Sequence, residues 1–298
     1  MRPPSPSIPE KDFFFAALDQ DVRLDGRGFL EPRSLDLSFG AELGHVECSL
    51  GKTRVLAHVD AKMVRPEPQR PFEGLISIHC ELSPMAGAEY EPGRSSEEET
   101  ALARHLDKIF RRSDAIDREA LCVLTGERVW HLRLSVHVLS AASSSSSSDA
   151  AAAAGGGGGL LDCASLACAA ALRHFRRPEV EVHGTGEVTV YAPEARAPVP
   201  LALHHTPFCV SFAGRSSLKV RMLLDPAGLE LRLAHGVLVL ALTAQRELAV
   251  VHKAGGLPLA PETLIGAVEI AARRARELET WLDVHVRDDW ARKNVEVR

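Results

Sequence analysis

The sequence predicts an α+β fold built as two related β-α halves around central helices. Three observations predict it. First, Leu160–Phe175 reads LLDCASLACAAALRHF, in which only Asp162 and Ser165 are polar before Leu172. A helix that is apolar all round is buried, and this one is shorter than the about 20 apolar residues a membrane span requires. Its many small side chains allow neighbours to approach its backbone closely. Second, the segments on either side each read as several strands followed by one amphipathic helix. Third, the halves are separated by a tract of serines, alanines and glycines ending at Gly159. These features divide the 298 residues into a disordered N-terminus (1–12) and a domain over 13–284. The domain's halves lie at about 22–140 and 160–284, with a low-complexity insertion at 141–159, and 285–298 form a C-terminal tail.

The opening residues are rich in Pro and Ser and lack the apolar core of a signal peptide. Asp12–Leu18 reads as one or two helical turns. Strands are predicted at Leu35–Phe39 and Val46–Leu50, and Gly51–Val64 continues the meander. A Pro- and Arg-rich loop, Arg65–Glu73, leads to a strand at Leu75–Leu82. Ser95 and Ser96 each have a glutamate three residues on, a doubled capping-box signature. The helix they open runs to about Arg112, with Leu102, Leu106, Ile109 and Phe110 on one face. From Trp130 to Leu139 apolar and polar residues alternate strictly, as in a strand with one face buried.

The second half continues with a hairpin at Val180–His183 and Val188–Tyr191. Further strands are predicted at Leu201–Phe212, Leu218–Asp225, Leu229–Thr243 and Leu248–His252. A helix over Pro261–Trp281 carries Leu264, Ile265, Val268, Ala271, Ala275, Leu278 and Leu282 at helical spacing, with Pro261 in its first turn.

Composition sets limits on function. A net charge of −5 argues against a coat of nucleic acid or membrane over the whole surface, though not against a local basic channel. The six cysteines are scattered without a CxxC pair, which suggests reduced core thiols of the cytosol or nucleus rather than disulfides or zinc.

Local motifs each admit a plain reading. Gly51–Thr53 reads GKT, but Val46 stands where a phosphate loop needs glycine, and a strand follows where it needs a helix; a tight turn fits better. The pairs His204/His205 and His131/His137 lack a carboxylate at metal spacing and read as strand-surface residues. Asp225 ends an apolar strand, where it is either an acid or metal ligand or the start of a turn with Pro226. Arg65, Arg70 and Arg94 lie in Pro- and Gly-rich loops, where arginine either grips phosphates or is simply solvated. Arg273, Arg274 and Arg276 read as the exposed face of the last helix.

Taken in order, the motifs RLDGR (Arg23–Arg27), SFG (Ser38–Gly40), GKTRVLAHV, EGLISIHCELSPMAG (Glu73–Gly87), EPGR (Glu91–Arg94) and LCVLTGERVWHLRLSVHVL resemble the RNase PH family. The last three of these, together with HFRRPEVEV (His174–Val182) and PVPLALHHTPFCVSFA (Pro198–Ala213), narrow the resemblance to members that build the ring of the eukaryotic RNA exosome. The resemblance implies the RNase PH fold (ribosomal protein S5 domain 2-like). It implies partners: other RNase PH-type ring subunits, cap proteins, an associated nuclease and single-stranded RNA, in nucleus, nucleolus and cytoplasm. No cofactor, metal or membrane is implied.

The resemblance also implies a non-catalytic subunit supporting 3′-to-5′ RNA processing, the alternative being an active phosphate-dependent 3′ exoribonuclease. Active relatives hold phosphate with Gly, Ser/Thr and Arg just before the central helix. Here Gly159, Leu160, Leu161 and Asp162 stand there, with an acid in place of the arginine. The second acid expected after Asp225 is represented only by Glu230. Asp162 is expected to cap the helix start. Arg94, Arg65 and Arg70 are the expected RNA contacts. The insertion before the helix, with a flexible reach of roughly 25 Å, suits a site without catalytic demand.

Overall fold

The computed structural model describes residues 7–87, 90–91, 93, 95–141, 158–184, 187–193, 195–215, 221–256 and 258–293. The first half is a sheet in the order β1-β2-β3-β6-β4, with β5 paired to β6. Its strands are β1 (Leu35–Phe39), β2 (His45–Leu50), β3 (Thr53–Val64), β4 (Leu75–Leu82), β5 (Cys122–Leu124) and β6 (Arg128–Ser140). All its pairings are antiparallel except β4 with β6. A parallel pair needs a crossover, and α2 (Glu97–Leu106) with the π-helical turn Asp107–Arg111 supplies it.

The predicted alternation in β6 holds: Trp130, Leu132, Leu134, Val136 and Val138 are all buried. The GKT motif is the β2–β3 turn, with Gly51 at φ +59. Ser96 caps α2 by accepting from Glu99 N, but the boxes do not close. Glu99 instead accepts from Leu82 N, and Glu98 accepts from the Tyr90 hydroxyl.

The apolar stretch forms α3 (Gly158–His174), packed between β2 and β3 on one side and the second half on the other. Cys163, Ala164, Ala167, Cys168, Ala170 and Ala171 are fully buried, and such small side chains permit this double contact. All six cysteines are free thiols.

After α3 come two ribbons. One pairs β7 (Arg176–Arg177) with β10 (Val199–Pro200), and the other pairs β8 (Val180–Val182) with β9 (Val188–Val190). The second sheet, in order β12-β11-β13-β14, contains β11 (Phe208–Arg215), β12 (Arg221–Leu224), β13 (Gly236–Leu242) and β14 (Leu248–Ala254). The final helix α5 (Pro261–Lys293) packs on β11 and β13. The helices thus form a middle layer between two sheets.

Several boundaries differ from expectation. The N-terminal segment expected to be disordered is helical from Ile8: α1 (Ile8–Asp19) has a closed capping box between Ser7 and Glu10. Its Phe14 and Leu18 pack on Ala213, Leu223 and Leu233 of the second half. Residues 1–6 and the insertion from 142 to 157 lie outside the described residues. The expected strand Leu201–Phe212 begins only at Phe208. Leu229–Leu233, expected as strand, belongs to a short helix, α4 (Gly228–Leu233). There Glu230 turns inward, accepts from Ala227 N at 2.7 Å and pairs with Arg23. Ile265, expected in the core face of α5, is 61% exposed.

The expected tail from 285 continues α5 to Lys293 because His174 anchors it. His174 Nδ1 accepts from Gly44 N at 3.0 Å, which leaves Nε2 as the neutral ring's donor to Asp289 Oδ2 at 3.0 Å. Lys293 adds bonds to Asp289 and to Gly40 O.

A second histidine joins the halves. His105 of α2 is buried and its ring lies 4.3 Å from that of His252 on β14. Burial, then the neighbouring His252 and Lys108 charges, push His105 down to about 4. The unfolded chain binds this proton near pH 6.5, so stability is full above that pH and falls as pH drops toward 4. We expect a loss on the order of 2 kcal/mol across that window. Urea titrations at pH 7, 5.5 and 4.5 check it, with His105→Leu flattening the slope.

Candidate functional site

The RLDGR turn brings two arginines across the molecule to the β12–α4 turn of the second half. Arg23 is 1% exposed. Its Nε and Nη2 donate to the Glu230 carboxylate at 2.9 and 2.6 Å, a bidentate pair. Its remaining donors reach Leu224 O at 3.0 Å, Asp225 O at 3.1 Å and Gly28 O at 3.4 Å. This satisfies a guanidinium that would otherwise be prohibitive to bury. Arg27 Nε donates to Asp25 at 2.7 Å, while its Nη2 reaches Asp225 O at 3.3 Å and Nη1 lies 3.5 Å from Asp225 Oδ2.

Asp225 is the convergence point. It is buried, and its φ of +47 is the left-handed region that aspartate tolerates better than most residues. Arg33 Nε and Nη2 donate to its two oxygens at 2.8 and 2.6 Å, and Arg33 N adds a third bond at 2.9 Å. Burial pushes this carboxyl up, but Arg33's hydrogen bonds and charge, with Arg27's charge, outweigh it and hold it below the usual carboxylate range. The same pairing raises the Arg33 guanidinium against its own desolvation. Local sequence leaves Asp225 open between ligand or acid and simple turn. The structure makes it the ionised anchor of an arginine cluster.

This cluster sits at the start of α3. A Cβ on Gly159 would collide with the Arg33 guanidinium and lie 3.1 Å from Asp225 Oδ1. A cation therefore does reach the place where the resemblance puts a phosphate cradle. It comes from Arg33 rather than from the helix's own entry, and a carboxylate of the same chain already neutralises it.

Asp162 is not the cap expected. The helix begins at Gly158, and Asp162 lies inside it, accepting from Ser211 N at 3.0 Å and Ser211 Oγ at 2.7 Å on β11. Burial, then the neighbouring Asp225 charge, push its carboxyl well above the usual range. Through these bonds it joins α3 to β11. Glu230, the doubtful second acid, is bound to Arg23.

The expected RNA contacts lie elsewhere. Arg65 follows β3, is exposed, and has no ion-pair partner among the described residues. Arg70 Nη1 is held by Glu73 Oε2 at 3.0 Å. Arg94 lies outside the described residues. Sequence reasoning misses Arg23, Arg27 and Arg33 as site residues; only the RLDGR motif hints at the first two.

The remaining candidates take ordinary places. His205 meets Ser113 Oγ at 3.3 Å, and His204 is 4.0 Å from Asp117. His131 meets Ser77 Oγ and His137 meets Glu81 Oε2, each at 3.0 Å. Arg274, expected on the exposed face, is half-buried and bound to Glu277 at 2.9 Å. Among the described residues no three His, Cys, Asp or Glu are placed to hold a metal ion.

Comparison with known proteins fits this arrangement. Residues 31–178 match domain 1, and residues 205–274 domain 2, of the 3′ exoribonuclease family, RNase PH. The chain is 38% identical over 280 residues to exosome complex component RRP45 of Danio rerio, covering 94% of this chain and 67% of that protein. It is 38% identical over 265 residues to the Schizosaccharomyces pombe protein of that name, covering 89% and 85%. Against the human protein it is 39% identical over 269 residues, covering 90% of this chain and 57% of that one.

Among solved structures, a chain of the Archaeoglobus fulgidus exosome with RNA bound to the active site superposes with a TM-score of 0.73 at 25% identity. The match covers 91% of this chain and 96% of that one. Rice Rrp46, at 17% identity and TM-score 0.61 over 89% and 100% of the two chains, shares the fold.

Proposed function

This chain belongs to the RNase PH family of 3′ exoribonucleases, and from that premise we propose that it is a non-catalytic ring subunit of the RNA exosome. Its motif series resembles the ribosomal RNA-processing protein 45 type (exosome component 9), the name its eukaryotic relatives carry. In this reading it scaffolds the ring with other RNase PH-type subunits and lines the path of single-stranded RNA. Cap proteins and a separate nuclease complete the assembly, in nucleus, nucleolus and cytoplasm. No helix among the described residues is long and apolar enough to cross a membrane.

One observation carries the non-catalytic part: the Arg33–Asp225 pair at the start of α3. Phosphorolysis needs an open cationic seat for phosphate and a free carboxyl group to assist departure. Here the cation and the carboxylate satisfy one another, and Glu230 is consumed by Arg23. The test is incubation of the purified chain with single-stranded RNA and inorganic phosphate. We expect no nucleoside diphosphate release, and sustained release by contaminant-free protein overturns the reading. Mass spectrometry of co-purified proteins tests the ring assignment.

The lining role rests on Arg65. Arg65→Glu in the assembled ring is expected to weaken RNA crosslinking several-fold and to shrink the salt dependence by about 0.7 for each phosphate no longer neutralised. Arg70→Glu should do less, since Glu73 already neutralises Arg70.

A further inference from the structure

A polar cavity of about 210 Å³ opens between the end of α3, the segment that precedes β11, the β13–β14 turn and α5. Its charges are already matched. Arg173 donates through Nε to Thr206 Oγ1 at 3.1 Å and through Nη2 to Glu279 at 2.9 Å, and it also pairs with Asp283. A guanidinium held by two carboxylates offers no seat to a phosphate.

What the cavity leaves open is uncharged. The Gln245 amide carries both donors and an acceptor and has no hydrogen-bond partner among the described residues. Thr243 Oγ1 accepts from Glu247 N at 3.1 Å and Thr206 Oγ1 accepts from Arg173, so each of these buried hydroxyls keeps its proton to donate. His204 and His205 approach Asp117 and Ser113 through ring nitrogens. Neither ring is stacked on another aromatic group among the described residues, and the His204 side chain is 57% exposed. Drug-sized ligands occupy pockets from roughly 300 Å³ upward, so this smaller space suits one planar ring rather than a whole nucleotide.

The cavity borders the loop on which the RNA-path reading rests. His204 N donates to Ala115 O at 2.9 Å and Asp117 N to Ala202 O at 3.0 Å, which fastens the cavity wall to the segment 115–118. Arg118 of that segment pairs with Glu73 at 3.0 Å, and Gly74 N donates to Arg118 O at 2.8 Å. The Arg65–Glu73 loop and the histidine rim are thus fixed to the same four residues.

Resting on the RNA-path reading above, we propose that this cavity receives one unstacked base of single-stranded RNA. His204 and His205 offer ring faces for stacking. Gln245 and the two threonine hydroxyls meet the edge of the base, where donors and acceptors are likewise mixed. Single-stranded RNA is recognised through such splayed bases, stacked on aromatic side chains and hydrogen-bonded along their edges. The phosphates stay outside, with Arg65. A neutral pocket beside a cationic loop divides the work, since backbone contacts position a strand and base contacts discriminate.

The test is photo-crosslinking of the assembled ring to single-stranded RNA carrying 4-thiouridine at successive positions, with the crosslinked peptides mapped. Crosslinks within residues 203–206 and 243–245 from one position of the RNA are expected. His204→Ala with Gln245→Ala should weaken binding at least about 5-fold at an unchanged salt slope, as for a lost base rather than a lost phosphate. An abasic residue at the crosslinking position should cost the unaltered ring the same and the variant nothing further. Crosslinks confined to the Arg65–Glu73 loop, or binding within twofold in the variant, overturn the pocket and leave the RNA path standing. Protein–protein crosslinks that place a neighbouring subunit in the cavity before RNA is added overturn it too. No RNA crosslink anywhere on the chain overturns both. Should the variant fail to assemble, the crosslink map on the unaltered ring decides.

Discussion

Arg23→Met is expected to lower the stability of the chain by about 3–5 kcal/mol, the cost of breaking a buried ion pair from one side. Glu230 is 3% exposed and receives two of Arg23's bonds, at 2.9 and 2.6 Å. With the guanidinium gone, its charge has no main counter-ion, the Leu224 oxygen loses its Arg23 donor, and the Asp225 oxygen keeps only the 3.3 Å bond from Arg27. The effect should propagate, because this pair holds α4 and the β12–α4 turn against the segment that leads into β1. Urea unfolding reads the loss directly, and dissociation of the subunit from the assembled ring reads it in context. The double variant Arg23→Met/Glu230→Leu separates the missing attraction from the stranded charge. Replacing both partners with apolar groups should recover much of the stability, since the isolated pair also carries a large desolvation cost. A double variant as unstable as Arg23→Met would mean that the backbone bonds of Arg23, not the ion pair, dominate.

This pair also shows why part of the molecule is legible in the sequence and part is not. The buried helix declares itself locally, because Leu160 to Leu172 has almost no polar residue to face water. The strand over Trp130–Leu139 declares itself by strict alternation, and α2 by Ser96. Periodicity and capping act over a few residues, so one sequence carries them. The Arg23–Glu230 contact spans 207 positions, and Arg33–Asp225 spans 192. Nothing in the local sequence of Arg33 distinguishes it from a solvated loop arginine. The same blindness explains the error at Leu229–Leu233, whose alternation reads as strand. The partner that makes Glu230 turn inward, and so winds the segment into a helix, lies at the other end of the chain. The extension of α5 past Trp281 depends likewise on His174 meeting Asp289. Family resemblance locates the place near Gly159 that matters. It does not anticipate that an arginine from the first half fills it.

Removing the carboxylate at that place should have the second large effect, and one that small anions can reverse. Asp225→Ala leaves Arg33 without its bidentate partner and Arg27 with Asp25 alone, and puts alanine at a φ of +47. A loss of about 2–4 kcal/mol is expected from these terms together. Asp225→Asn separates the backbone from the side chain, because asparagine tolerates the left-handed backbone while removing the charge and one of the two acceptor oxygens that Arg33 grips. Unlike Arg23, these arginines reach solvent: the side chains of Arg27 and Arg33 are 13% and 12% exposed. In the alanine variant the vacated space is lined by two guanidinium groups beside the start of α3, where helix amides also favour an anion. Phosphate or sulfate should therefore occupy it and restore about 2.7 kcal/mol at a hundredfold excess over the dissociation constant. Sulfate stabilises many proteins by exclusion from their surfaces, so the comparison that matters is internal. The unaltered chain and Arg23→Met, whose gap is sealed from solvent, should gain only the general increment. Asp225→Asn, with its amide still in place, should gain little more. An alanine variant that gains no more than these would show that the arginines collapse onto other acceptors once Asp225 is removed. The start of α3 would then be closed to anions for a reason other than the charge of Asp225.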